Sequence, residues 1–131
     1  MKINRLISLG KILSFSILIL GIIHVIATFT PLIKGGLSCL SPDDFKAMIY
    51  MSLICGTSFI LSGIVLVLLL EKVKQFVFLN STILLIGIFL AVSGVLSIVY
   101  MLDNPFAWIA LLLNLSMCII TLGLKLKLDN K

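Results

Sequence analysis

The chain has 131 residues, of which 61% are hydrophobic and 11% charged, and its mean hydropathy is +1.31. This is more apolar surface than one small soluble core could bury, so the composition excludes a soluble domain and predicts an integral membrane protein. The net charge of +5 is not a nucleic-acid signature, because no basic cluster is interleaved with exposed aromatic residues. We expect the lipid bilayer, and no nucleic acid, around the chain.

Four apolar stretches are long enough to cross a bilayer, which takes about 20 mostly apolar residues per helix. Together with their capping residues they predict helices at 12–33, 42–70, 76–102 and 105–124. The connections are too short to cross back, so consecutive helices must be antiparallel neighbours. The predicted fold is an all-α membrane protein, with a single antiparallel four-transmembrane-helix bundle over residues 1–131.

The first helix has an alternative interpretation. A basic start, an apolar run and the small residue Ala27 also fit a secretory signal peptide. The apolar run continues past Ala27 without a break, which favours a spanning helix.

Capping chemistry marks the starts of the second and fourth helices. Ser-Pro-Asp-Asp at 41–44 offers a side-chain acceptor at the N-cap, proline at the first helical position and two carboxylates beside the positive end of the helix dipole. In the fourth helix, Asn104 is the corresponding N-cap and Pro105 takes the first helical position. Capping accounts for these acidic residues, against the alternative of a cation site formed by Asp43, Asp44 and Asp103.

The basic residues predict the orientation, because Lys and Arg near membrane ends stay in the cytoplasm. Lys34 and Lys46 lie on one side of the predicted bundle. The other eight lie on the opposite side, which the rule makes cytoplasmic: Lys2, Arg5, Lys11, Lys72, Lys74, Lys125, Lys127 and Lys131. We expect a multi-pass protein of the plasma membrane with both termini in the cytoplasm.

Small and polar residues recur at alternating spacings of four and three along each helix, as close helix packing in lipid requires. These lines, here called seams, are Gly10, Ser14, Gly21, His24 and Thr28 in the first helix, Ser52, Gly56 and Gly63 in the second, Asn80, Gly87, Ala91 and Gly94 in the third, and Ala107, Ala110, Asn114 and Thr121 in the fourth. The pattern predicts that His24 faces protein.

At about 1.5 Å per residue, His24, Ser58 and Asn114 each fall near the middle of their apolar stretch. This predicts a polar layer at the bilayer midplane, with His24, Thr28, Ser58 and Asn114 as the candidate ligand-binding residues. One interpretation is structural, a neutral imidazole hydrogen-bonded to Asn114, Ser58 or a backbone carbonyl. The other is functional, because an ionisable group inside a membrane often marks a ligand or proton site.

The sequence gives little support for a catalytic site or a metal site. Tetrahedral zinc needs three or four ligands, whereas the chain has one histidine, and every carboxylate lies at a membrane edge, out of reach of a Ser-His-acid triad. Two copies of His24 in a symmetric dimer could ligate a haem, but no motif specifies one. Cys39, Cys55 and Cys118 form no CxxC, so neither a disulfide framework nor a thiol-exchange site is indicated. Cys39, in a loop, is expected to be a free thiol, with a disulfide between subunits as the alternative. No catalytic residue, metal site or cofactor is predicted.

A first helix with Gly21, His24 and a downstream Pro31 is followed by the glycine-containing second helix MSLICGTSFILSGIVLVLL at 51–69. This arrangement resembles the small four-helix membrane proteins of bacteria grouped as DoxX-like or left as families of unknown function. The resemblance implies a four-helix fold in the inner (plasma) membrane of a bacterium and no particular activity.

These features favour a non-enzymatic binding or accessory subunit, with a homodimer or a larger membrane complex as its assembly. A first alternative is a small transporter or proton-coupled carrier with a midplane site at His24. A second is a membrane protein that binds haem or quinone. A polar cavity at His24 would separate the first interpretation from the other two.

Overall fold

The computed structural model describes residues 2–31, 35 and 39–129. Four helices long and apolar enough to cross a membrane make up most of this part of the chain: α1 (Ile3–Thr28), α2 (Pro42–Lys72), α3 (Leu79–Tyr100) and α4 (Pro105–Asp129). No strand occurs among the described residues. The chain is therefore an all-α membrane protein with a four-helix bundle, as the sequence predicts.

The bundle consists of two hairpins. Helix α1 packs closely on α2, and α3 packs closely on α4, while α1 and α4 join the two pairs and α2 makes little backbone contact with α3. One end of the bundle holds Lys2, the turn at 73–78 and Asp129, and we call it the basic end. The other holds residues 29–31, 39–41 and 101–104, and we call it the loop end.

Both predicted N-caps are confirmed at the loop end. The Ser41 hydroxyl accepts a hydrogen bond from the Asp44 backbone N–H at 3.2 Å and donates one to the Asp44 carboxylate at 2.6 Å. The Asn104 side-chain oxygen accepts the Phe106 N–H at 2.9 Å. The Trp108 indole N–H donates to the Leu102 carbonyl at 2.9 Å, which fastens the short α3–α4 turn.

Helix α1 differs most from its predicted bounds. It begins at Ile3, nine residues before the expected start at 12, and ends at Thr28 instead of 33. Pro31 accounts for the early end, because it disfavours helical geometry in the residue before it and lacks a backbone N–H. Residues 32 and 33 lie outside the described residues. The early start reflects a helix that continues past the apolar stretch into its polar flank.

The other three helices also deviate from the predicted bounds at their ends. Helix α2 runs two residues further than expected, to Lys72, and α4 runs five further, to Asp129. Helix α3 begins at Leu79, three residues after the expected start, because residues 73–78 form the turn that follows α2. Hydropathy marks the lipid-facing stretch, whereas packing and caps decide where the helix stops.

The seams face the interior of the bundle. The small and polar seam residues that are fully buried are Gly10, Ser14, Gly21 and Thr28 in α1, Gly56 and Gly63 in α2, Asn80, Gly87 and Gly94 in α3, and Ala107, Ala110, Asn114 and Thr121 in α4. Large aliphatic side chains such as Ile17, Leu66 and Leu90 fill the space between the hairpins. Leu68 points away from the bundle, with 57% of its surface exposed.

Candidate functional site

His24 lies one turn before the end of α1 and contacts two other helices. Its Nε2 is 3.1 Å from the Ser52 hydroxyl on α2. Its ring lies 5.6 Å, centroid to centroid, from the ring of Phe106, in the first turn of α4. Gly56 permits the approach, because a Cβ at that position would lie 3.2 Å from His24 Cδ2. The imidazole is half-buried where α1, α2 and α4 meet.

A closed circuit of hydrogen bonds links His24, Ser52 and Thr28. The Thr28 hydroxyl donates to the backbone carbonyl of His24 at 2.9 Å and lies 2.7 Å from the Ser52 hydroxyl. A carbonyl can only accept, so Thr28 has used its one proton and Ser52 must donate to Thr28. Ser52 in turn has no proton left for His24. The Nε2 of His24 therefore carries a hydrogen and donates to Ser52.

Within the bundle, the site lies near one end of α1. His24 is four residues from the end of α1, or about 6 Å along the helix axis. Its partner on α4 is Phe106, which precedes Asn114 by eight residues, or about 12 Å. The site thus lies toward the loop end of the bundle. The expected midplane position was estimated from a helix over 12–33, whereas α1 runs from Ile3 to Thr28.

Of the four candidate residues, the structure brings together His24 and Thr28 and places the other two elsewhere. Ser58 is half-buried on α2, six residues along the helix from Ser52. Asn114 is fully buried on α4, beside Gly94, where a Cβ would lie 3.2 Å from Asn114 Cβ. Neither residue hydrogen-bonds to His24, so the expected polar layer divides into separate sites.

Asn114 is the unusual member of the set. Both its amide nitrogen and its side-chain oxygen are buried without a hydrogen-bond partner among the described residues. A buried amide that makes no hydrogen bond costs about 1–3 kcal/mol, so the side chain weakens the bundle interior as it stands.

Ser52 is the site residue missing from the predicted set. It belongs to the predicted seam of α2, so the signal was present in the sequence. The estimate of depth from apolar stretches favoured Ser58 in its place. The correct pairing follows once α1 is seen to end at Thr28, which brings the last turn of that helix level with Ser52.

A second polar cluster, at the basic end, was also not predicted. The Asn80 amide of α3, only 3% exposed, donates to the Asp129 carboxylate at 2.8 Å. Lys125 forms an ion pair with Asp129 at 3.0 Å and donates to the Ser81 hydroxyl at 3.0 Å. On the other hairpin, Lys11 of α1 pairs with Glu71 of α2 at 3.1 Å. The i, i+4 spacing of Lys125 and Asp129 is the part of this cluster that sequence could have indicated.

Within the described part of the chain, no three of the His, Cys, Asp and Glu side chains come together as a metal site would require. All three cysteines are free thiols, as expected from the missing CxxC. Comparison with protein-family models, with characterised proteins and with solved structures gave no match to this chain.

Proposed function

We propose that this protein is a non-enzymatic membrane subunit that acts by binding a partner, either a second copy or another membrane protein. The hydrogen-bond circuit at His24 carries the proposal. Its Nε2–H, the Ser52 hydroxyl and the Thr28 hydroxyl are all committed to one another or to the backbone, and together they tie α1 to α2. In this arrangement the intramembrane histidine holds two helices in register.

The shape of α2 supports a role in binding. The helix has 31 residues, a length of about 46 Å, against about 30 Å for the hydrocarbon core of a bilayer. None of its first ten residues is buried, and Tyr50 and Met51 are 65% and 67% exposed. The start of α2 thus extends past the described ends of its neighbouring helices, where it offers a surface for a partner.

The binding role is tested by the native mass of the full chain extracted in a mild detergent. We expect the protein part of the particle, without its bound detergent, to have a mass well above the 14.3 kDa of one chain. Met51→Lys, in the exposed first ten residues of α2, should reduce this mass. Leu68→Phe, an exposed site within the span, is the matched control and should leave the mass unchanged. A monomer for the wild-type chain would overturn the proposal.

A proton-coupled carrier remains the second candidate, and one observation favours it. The circuit uses the Nε2 of His24, while its Nδ1 makes no hydrogen bond with any described residue and the ring is only half-buried. An imidazole nitrogen with a free lone pair can accept a proton in the pH range where histidine titrates. Such a carrier would use Nδ1 and keep Nε2 as its anchor.

His24→Gln separates the two functions. Glutamine keeps an N–H that can donate to Ser52, but it has no nitrogen that titrates. If His24 is structural, the variant should keep its thermal stability, its native mass and its response to bound molecules across pH 5–8. Loss of a pH-dependent ligand response in a folded His24→Gln variant would instead establish the carrier and overturn the structural role.

The proposed orientation places the basic end in the cytoplasm, because the exposed Lys and Arg residues collect there. Cys39 is exposed at the loop end and should react with a membrane-impermeant thiol reagent in intact cells. A cysteine placed at Ser8, in a chain with Cys39→Ser, should react only after the cells are opened. Labelling of Ser8→Cys in intact cells would reverse the orientation.

A further inference from the structure

Four basic side chains at the basic end make no hydrogen bond or ion pair with any described residue. The two carboxylates described at this end, Glu71 and Asp129, are already paired with Lys11 and Lys125. The four exposed cations without a partner are Lys2, Arg5, Lys72 and Lys74. This end of the bundle therefore presents a positive charge that no described acidic side chain balances.

The turn between α2 and α3 adds apolar surface beside this charge. Phe76 and Phe78 are 50% and 73% exposed, and their rings contact each other edge to face with centroids 6.2 Å apart. Exposure of two phenylalanine side chains to bulk water, next to two lysines, would be unfavourable. They suit the boundary of a membrane, where the rings enter the acyl region and the ammonium groups reach the headgroups.

A depression of about 330 Å³ lies at the same end. Lys74 and Asn4 supply its polar lining, and Ile3, Val77 and Leu128 supply its apolar lining. An ammonium and an amide can both donate hydrogen bonds to phosphate oxygens, whereas the aliphatic side chains can contact glycerol and the first acyl carbons. A soluble inorganic anion would leave that apolar surface uncovered.

We propose that the basic end is a binding site for an anionic phospholipid. Lys74 and Asn4 hold the phosphate in the depression, Lys72, Lys2 and Arg5 add attraction for the negative headgroup, and the Phe76–Phe78 pair anchors the turn beside the acyl chains. The site is independent of His24 and of the exposed start of α2, so it stands apart from the partner-binding role proposed above.

The test is a titration of the purified full chain, in a neutral detergent, with short-chain phosphatidylglycerol, phosphatidylcholine or inorganic phosphate. We expect phosphatidylglycerol to bind more tightly than either of the others. Lys74→Gln should weaken it about fivefold, the equivalent of about 1 kcal/mol for one cation near an anionic surface. Lys46→Gln, an exposed lysine at the loop end that pairs with Asp43 at 3.3 Å, is the control and should bind as the wild type does.

A second variant tests the choice of lipid over a soluble anion. Phe78→Ser should lower the affinity for phosphatidylglycerol and leave that for inorganic phosphate unchanged. Native mass and helical content confirm that both variants remain folded, as expected for exposed positions. Equal binding of phosphatidylcholine and phosphatidylglycerol would overturn the proposal. Phosphate binding as tight as phosphatidylglycerol would assign the site to a soluble anion, and equal losses in Lys74→Gln and Lys46→Gln would reduce it to general charge.

Discussion

The two hairpins are built on glycine, but the glycines meet different surfaces. In α1–α2, a Cβ at Gly21 would lie 2.7 Å from the Gly56 carbonyl oxygen, and one at Gly63 would lie 2.8 Å from the Ser14 carbonyl oxygen. In α3–α4, a Cβ at Gly87 would meet the Thr121 side chain. Each hairpin also has a glycine of the other kind: a Cβ at Gly56 would lie 2.6 Å from Val25 Cγ2, and one at Gly94 would lie 3.0 Å from Leu111 Cα. The α1–α2 hairpin therefore has two glycines that meet backbone, and α3–α4 has one.

The two hairpins also differ in whether particular buried polar side chains are hydrogen-bonded. The buried Thr28 hydroxyl of α1 and its partner Ser52 on α2 are hydrogen-bonded in full, whereas α4 carries the unpartnered amide of Asn114. Yet both hairpins form. Close packing at glycine is common to both hairpins, because lipid supplies no hydrophobic drive between helices and dispersion contacts must replace it. Hydrogen bonds add register where the geometry allows them.

The strongest test of the comparison is Gly63→Leu, which should cost about 3 kcal/mol of unfolding free energy, the upper end of overpacking. The new side chain would meet the α1 backbone at Ser14 and Leu18, which cannot rotate away. Unfolding in mixed micelles measures the loss. The lipid-facing Leu68→Phe should change stability by a few tenths of a kcal/mol, and a similar loss at both positions would mean that the α1–α2 contact is not the one described here.

Asn80→Leu should have the next largest effect, a loss of about 2 kcal/mol. It removes a buried amide that bonds Asp129, and truncation of a partner in a charged network exceeds the cost of a neutral bond. The same unfolding assay applies. Ser93→Ala, whose hydroxyl bonds only within its own α3 helix, is the control. An unchanged stability in Asn80→Leu would show that the cluster does not clamp α3 to α4.

Asn114→Leu should have the opposite sign and stabilise the bundle by about 1 kcal/mol, because a side chain of similar size replaces an amide with no hydrogen-bond partner. The gain should appear as a higher melting temperature in the same detergent. Destabilisation would show that the Asn114 amide finds a hydrogen-bond partner in the membrane.

Thr28→Val should have the smallest effect, a loss of about 0.6 kcal/mol, the average for a hydrogen bond between membrane helices. The substitution keeps the shape of the side chain and removes the hydroxyl that closes the circuit with Ser52. Thr57→Val on the exposed face of α2 is the matched control, since its hydroxyl bonds only to its own helix. A loss equal to that of Gly63→Leu would make hydrogen bonding, and not packing, the basis of the α1–α2 hairpin.

The sequence predicted the helix faces better than the heights at which residues meet. Gly21, Gly63 and Asn114 lie on seams that periodicity alone defined, because a period near 3.6 is a property of one helix. The meeting of His24 with Ser52 depends on the axial offset between two helices. That offset follows from the turn at Thr28 and from the extension of α1 to Ile3, neither of which an apolar stretch marks.

The separation into two hairpins has a consequence for the order of assembly. Helices α1 and α2 find their main contacts in each other, so the first half of the chain can complete its pairing before the second half is made. The face of α1 that contacts α4 then stays exposed to lipid until α4 inserts. Loss of α4 would leave α3 without its main neighbour and α1 without its contact to the second hairpin. A cut between Lys74 and Gln75 should instead yield two halves that still recognise each other. Helix α4, which contacts both α1 and α3, is therefore the one that closes the bundle.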